Sequence, residues 1–295
     1  MQTAEGPPSL IEIAIEPRSA EDRERLGLAL SDLVQHDPTL RFSVDRESGQ
    51  VILKGTDESQ LEIIIDRIKR EFHVEANIGA PQVAYRETIT RPVESDYIHR
   101  KQTAGSGEFA RAKLRLEPLP PGSGFIVANT SDLPARYLTG VEKGLRAAAE
   151  AGTVAGFPLI DVKATLIDAA YHEVDSSELT FEIASRAAFK DGAAKALPVL
   201  LEPIMRVEVV TPDDCLGGVI GDLNHRRGRV IGMETRGDAR VISATVPLAN
   251  MSGYVKTLGS MSRLRATLTM HFDHYETVSI DPPPDRFPPA VGMRG

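Results

Sequence analysis

The chain has 295 residues, 41% apolar and 26% charged, the balance of a globular protein with room for two or three cores. One cysteine, Cys215, excludes an intramolecular disulfide and suits a reducing compartment, and no apolar run reaches the roughly 18 residues a membrane span needs. The net charge of −8 argues against DNA or nonspecific nucleic-acid binding through a broad basic face, but leaves local recognition of a folded RNA open.

The acid excess lies early: residues 1–81 carry 9 Lys+Arg against 16 Asp+Glu. "MQTAEGPPSL" has neither the basic start nor the apolar core of a secretion signal, so a cytoplasmic location is expected. "LIEIAIEP" (10–17) alternates at period two and predicts a strand. Ser19, with Asp22 three residues on, opens a helix. "RFSVD" and "VILKG" predict a hairpin with Gly49 in its turn, and Asp57 caps a second helix carrying Leu61, Ile64, Ile65 and Ile68. "HVEANIG" closes a βαββαβ order, the ferredoxin-like pattern.

The middle third differs. "RETITRPVESDYIHRKQTAGSGEFARAKLRLEPL" predicts two or three strands around the small-residue turn "QTAGSGE" (102–108). A helix follows, ending at Gly152, then the strand "LIDVKATLIDAAYH", the polar stretch "AAYHEVDSSEL" (169–179) and a long helix beginning near Ser177. The last third repeats the first. "IMRVEVVTP" is a strand, and Thr211 at the N-cap with Pro212 at the first helical position predicts a helix to about Arg227, with Gly228 as its C′ glycine. Two strands joined through "RGD", a helix in "MSGYVKTLGSMS" and the strand "RATLTMHFDHYE" complete a second βαββαβ unit. The tail 278–295 is Pro-rich and expected to be disordered.

Little chemistry is legible. His271, Asp273 and His274 lack the paired spacing of a metal site. No phosphate-binding loop occurs, and Asp214-Cys215-Leu216-Gly217, though it fits D-x-x-G, lies inside an expected helix. His172, Asp175 and Ser176 have triad chemistry, but triads draw on separated segments, so no catalytic residue is assigned. Asp175 or Ser176 is read as a helix cap, while Tyr171 and His172 suit base stacking and hydrogen bonds to ribose or phosphate. "QTAGSGE" is either a plain hairpin tip or a close approach to a phosphate backbone. "NHRRGR" (224–229) either complements a helix dipole or binds RNA or an acidic partner.

Several long runs are more specific: "EANIGAPQVAYRETI" (75–89), "YIHRKQTAGSGEFARAKLRLEP" (97–118), "GFPLIDVKATLIDAAYHEVDSSEL" (156–179), "LLEPIMRVEVVTP" (200–212), "VIGDLNHRRG" (219–228) and "TMHFDHYE" (269–276). Together the chain resembles elongation factor G over about residues 8–277, in the family's last three domains. The resemblance implies an α+β chain: ferredoxin-like modules at 8–81 and 202–277 flank a module at 82–201 like the second domain of ribosomal protein S5. It implies a ribosome partner, both rRNA and the tRNA–mRNA pair in the decoding site, and a role in translocation. The tip contacts would be Gln102, Thr103, Ala104, Gly105, Ser106, Gly107, Tyr171, His172, Asp175 and Ser176. His225, Arg226, Arg227, Ser262 and Arg263 would meet rRNA. The family's GTPase and β-barrel domains have no counterpart here, so GTP and Mg are not expected to bind this chain, and a separate GTPase half is a candidate partner. Ribosome splitting, ribosomal protection and a truncated paralogue are the alternatives. The chain departs from the family pattern at Ala104, Glu108, "GTDESQ" (55–60), Gly259 and "SMSRLRA" (260–266), where the family has respectively glycine, glutamine, Gly-Met-Gly-Glu-Leu-His, arginine and Ser-Met-Ser-Gln-Gly-Arg-Ala.

Overall fold

The structure is a computed structural model that describes residues 9–44, 50–79, 81–103 and 106–278. The expected hairpin turn at Gly49 and the Pro-rich tail from 279 onward lie outside the described residues. The described chain divides into two compact units. One holds residues 9–84 together with 202–276, the other residues 85–201 and 277–278.

In the first unit, residues 9–84 form β1 (Ile11–Pro17), α1 (Ala20–His36), β2 (Arg41–Val44), β3 (Val51–Gly55), α2 (Glu58–Glu71), β4 (Ala76–Ile78) and the short β5 (Gln82–Val83). The sheet order β2-β3-β1-β4, antiparallel throughout, is the ferredoxin-like arrangement the alternating strands predict. Ser19 and Asp57 are the N-caps, accepting the Asp22 and Gln60 N–H groups. Leu61, Ile64, Ile65 and Ile68 are all buried.

The second unit begins with β6 (Arg86–Ile89), which pairs with Pro198–Leu201. Its main sheet contains β7 (Val93–Thr103), β8 (Ser106–Pro118), β9 (Phe125–Asn129) and β10 (Val162–Ala170) in the order β7-β8-β10-β9. Strand β9 escapes the sequence patterning: it is five residues long, mostly half-exposed, and pairs in parallel with β10. Helices α3 (Ala135–Ala151) and α4 (Glu178–Lys195) bury Tyr137, Val141, Leu145, Phe181 and Phe189 against the sheet. The helices approach closely at glycines: a Cβ on Gly140 or Gly144 would lie 2.1 or 2.3 Å from a carbonyl oxygen of α4. Buried Glu87 is satisfied by the N–H groups of Thr153, Val154, Ala155 and Phe157.

The remainder of the first unit holds most of β11 (Pro198–Pro212), then α5 (Leu216–His225), β12 (Arg229–Arg236), β13 (Ala239–Pro247), α6 (Tyr254–Ser262) and β14 (Thr267–Thr277). Its order, β12-β13-β11-β14, repeats the ferredoxin-like arrangement. Leu26, Leu30 and Ile64 share one buried core with Val207, Val219, Leu223 and Ile242. The start of α5 differs from expectation. Strand β11 runs through Pro212, Asp213–Cys215 form a 3-10 turn, and the α-helix starts only at Leu216. Thr211 therefore caps nothing; it is fully buried and its hydroxyl has no partner among the described residues.

The end of α5 differs too. Arg227, not Gly228, takes the left-handed conformation, at φ 63°. The N–H groups of Arg227 and Gly228 donate to Asn224 and Leu223 carbonyls at 3.0 and 2.8 Å, a Schellman closure with arginine at C′. Gly228 is required for space: a Cβ there would sit 2.6 Å from the Leu223 oxygen.

Candidate nucleic-acid interface

Strands β7 and β8 pair from Val93–Leu116 to Thr103–Ser106, so the hairpin is laddered to its end. Ala104 and Gly105, expected at the tip, lie outside the described residues, as do the side chains of Thr103 and Ser106. Gln102 stands opposite Gly107 and Lys101 opposite Glu108.

Residues 171–177 link β10 to α4 beside this hairpin. Ser177 caps α4, exchanging bonds with Thr180 in a capping-box arrangement. This corrects the expected cap at Asp175 or Ser176: the first helical residue is Glu178, so the capping position falls on Ser177. The two residues before it fasten the loop to β8 instead. Ser176 Oγ donates to the Phe109 carbonyl at 2.7 Å and accepts the His172 N–H at 2.8 Å. The Phe109 N–H donates to the Asp175 carbonyl at 2.9 Å. Asp175 also packs over Gly107, where a Cβ would lie 2.7 Å from its carboxyl carbon. Glycine at 107 thus permits the loop's close approach.

His172 is exposed. Its Nδ1 accepts the Asp175 N–H at 3.3 Å and lies 3.2 Å from Asp175 Oδ2. Nδ1 without a proton accepts the N–H, and Nδ1 with one donates to the carboxylate. Because Ser176 Oγ is committed to backbone groups, His172, Asp175 and Ser176 form no nucleophile–base relay. Tyr171 is 43% exposed, and its ring stays anchored 5.5 Å from that of Tyr137, which packs 5.0 Å from Phe181.

Between hairpin and loop lies a cavity of about 370 Å³, lined by Arg100, Lys101, Gln102, Tyr171, His172 and Asp175 among others. Two cations, an amide, an imidazole and a supported aromatic ring, beside the carboxylates of Glu108 and Asp175, make a mixed surface for phosphate, ribose and base. Sequence reasoning misses Arg100 and Lys101, whose signal is their place five and four residues before Gly105. Glu108 bonds His99 Nε2 at 2.9 Å. That bond, with Lys101 nearby, holds its carboxyl below the usual range against partial burial.

The other expected contacts fare unequally. His225 is exposed at the end of α5. Arg226 is turned inward, bonding Asp222 and the Asn250 carbonyl and lying 4.8 Å over the Tyr254 ring. Arg227 forms a bidentate pair with buried Glu202, at 2.7 and 3.2 Å. Ser262 is fully buried, bonding the Leu258 carbonyl and the Ala266 N–H, which corrects its assignment as a surface contact. Arg263 is exposed. Among the described residues no three His, Cys, Asp or Glu converge as a metal site, and His274 instead bonds Asp273. Asp214 pairs with Arg265. No helix among the described residues is long and apolar enough to cross a membrane.

Comparison with known proteins assigns all three segments. Family models match residues 6–80 as elongation factor G domain III, 81–197 as elongation factor G domain IV, and 199–286 as the elongation factor G C-terminus. Elongation factor G of Cereibacter sphaeroides KD131 is 56% identical over 281 residues, covering 94% of this chain and 40% of that protein. The Anaplasma phagocytophilum elongation factor G is 57% identical over 275 residues, covering 92% and 40%. A crystal structure from Thermus thermophilus, 38% identical, superposes with a TM-score of 0.70 over 92% of this chain and 41% of that one. The chain therefore spans about 40% of the length of the curated relatives it matches.

Proposed function

Because the chain belongs to the elongation factor G family, as that family's domain III, domain IV and C-terminal region, we propose that it binds the ribosome and contributes to tRNA–mRNA translocation through the tip of residues 85–201. One observation carries this reading: the hairpin and the 171–177 loop are fastened together at Phe109, and this holds Arg100, Lys101, Gln102, Tyr171 and His172 around one cavity. Such a tip would act by insertion and steric occupancy, with phosphate contacts giving affinity and Tyr171 and His172 giving orientation. Any GTP hydrolysis would be supplied by another part, in the same protein or a separate one.

Cosedimentation with ribosomes at low salt tests the reading. The chain should pellet with ribosomes, and His172→Ala should reduce the bound fraction while leaving the melting temperature unchanged, because the imidazole is exposed. A chain that stays in the supernatant sinks the proposal.

A further inference from the structure

Strand β12 ends its sheet. It pairs with β13 on one side, and among the described residues no strand pairs with its other side. All eight of its residues are exposed. Three are apolar: Val230, Ile231 and Met233. Pairing with β13 sets their faces. Val230 stands opposite Ala244 and Met233 opposite Ile242, both fully buried, so these exposed side chains extend the core face beyond its cover. Arg229 stands opposite Thr245 and Glu234 opposite Val241, on the other face. Arg229 holds only a loose pair, 3.6 Å from Glu276, and Glu234 has no ion pair among the described residues.

In a regular strand, residues an odd number apart point to opposite faces. The register shift between Val230 and Gly232 makes Ile231 an extra residue. It thereby returns Val230 and Met233 to one face, and Arg229 and Glu234 to the other. The strand becomes complementary to itself about a two-fold axis between Ile231 and Gly232, perpendicular to the sheet. Antiparallel to a second β12, Arg229 falls opposite the partner's Glu234 and Val230 opposite the partner's Met233. We propose that β12 is the docking edge for a second copy of this chain, joining two sheets into one. Opposite charges on one face and apolar side chains on the other are the cross-strand pairs that stabilise a sheet. The bulge and the terminal arginines blunt the edge against indiscriminate pairing, and they leave this one register open. An isologous contact closes at a dimer. With eight residues a side, against roughly 20–30 in a standard interface, the dimer is weak. The pairing does not depend on ribosome binding.

Sedimentation velocity of the full chain, from about 1 µM to about 1 mM, tests the pairing. Wild type should pass from monomer to dimer across that range and go no further. Arg229→Glu and Glu234→Arg each set like charges opposite one another at both cross-pairs. Each should weaken association about 10-fold, with an unchanged melting temperature because both side chains are exposed. The double swap Arg229→Glu/Glu234→Arg restores opposite charges and should restore the dimer. A wild type that stays monomeric throughout overturns the proposal, as does growth beyond a dimer. Single variants that associate like wild type, or a double swap that fails to recover, place the contact elsewhere and overturn it too.

Discussion

In residues 9–84 both helices start on a side-chain cap, Ser19 for α1 and Asp57 for α2; in residues 202–276 neither does. The later module closes both its helices with left-handed arginines, Arg227 after α5 and Arg263 after α6, where the earlier one has a single left-handed closure, His73 after α2. The sheets have the same strand order, so the contrast lies in how equal folds secure their helix ends. Caps at the start satisfy donors without backbone strain. Left-handed closures with non-glycine residues carry strain that other contacts must offset. For Arg227 the offset is visible in the bidentate bond to Glu202, which is 3% exposed.

The largest expected effect breaks that arrangement. Arg227→Gly relieves about 1 kcal/mol of backbone strain. It also leaves Glu202 buried without its guanidinium, at a cost of about 3 kcal/mol, the low end for a buried pair because the arginine is partly exposed. The charge effect wins, so a net loss of about 2 kcal/mol is expected by urea unfolding. A more stable variant would mean that strain, not pairing, dominates this helix end. Next come the caps. Asp57→Ala and Ser19→Ala should each cost about 1 kcal/mol, while Cys215→Ala at the uncapped start of α5 should stay within about 0.5. Equal losses at all three would remove the distinction between the modules.

These positions also show what the sequence can disclose. Ser19 and Asp57 are legible because a polar residue directly before an apolar period has one local use. Thr211 carries the same local signal and misleads, because tertiary pairing extends β11 through Pro212 and buries the hydroxyl. Gly228 has the residue type expected of a left-handed closure, but long-range pairing with Glu202 lets Arg227 hold that position. At the candidate site, the small residues and the Tyr-His pair mark the tip. Its bracing runs through Phe109 backbone groups, which carry no side-chain signature. The departure "GTDESQ" becomes intelligible only in three dimensions. Asp57 caps α2, and Gln60 knits Thr56, Asp37 and Thr39 into one hydrogen-bonded cluster.

That cluster gives the acid-side prediction. The Thr39 hydroxyl, with help from Gln60 and backbone N–H groups, holds the Asp37 carboxyl below its ordinary 3.8. A depressed folded value contributes stability that is fully present above about pH 4 and lost as pH falls through the folded value. Asp37→Asn should therefore flatten the acid limb of the stability curve while leaving the slope above about pH 5 unchanged. An unchanged acid limb would remove Asp37 from the account.

Tyr254, in the later module, titrates at the other end of the scale. Its side chain is fully buried at the start of α6, and burial chiefly, with Asp222 adding, pushes the phenol up to about 12. The raised folded value means its contribution is complete below pH 10 and fades as pH rises towards 12. The hydroxyl has no hydrogen-bond partner among the described residues, so the fold bears its desolvation without return. Arg226 lies over the ring face rather than the hydroxyl, and a phenylalanine keeps that contact. Tyr254→Phe should accordingly leave stability at neutral pH within about 0.5 kcal/mol or raise it, and should flatten the alkaline limb. A loss above about 1 kcal/mol at neutral pH would show that the hydroxyl is bonded after all.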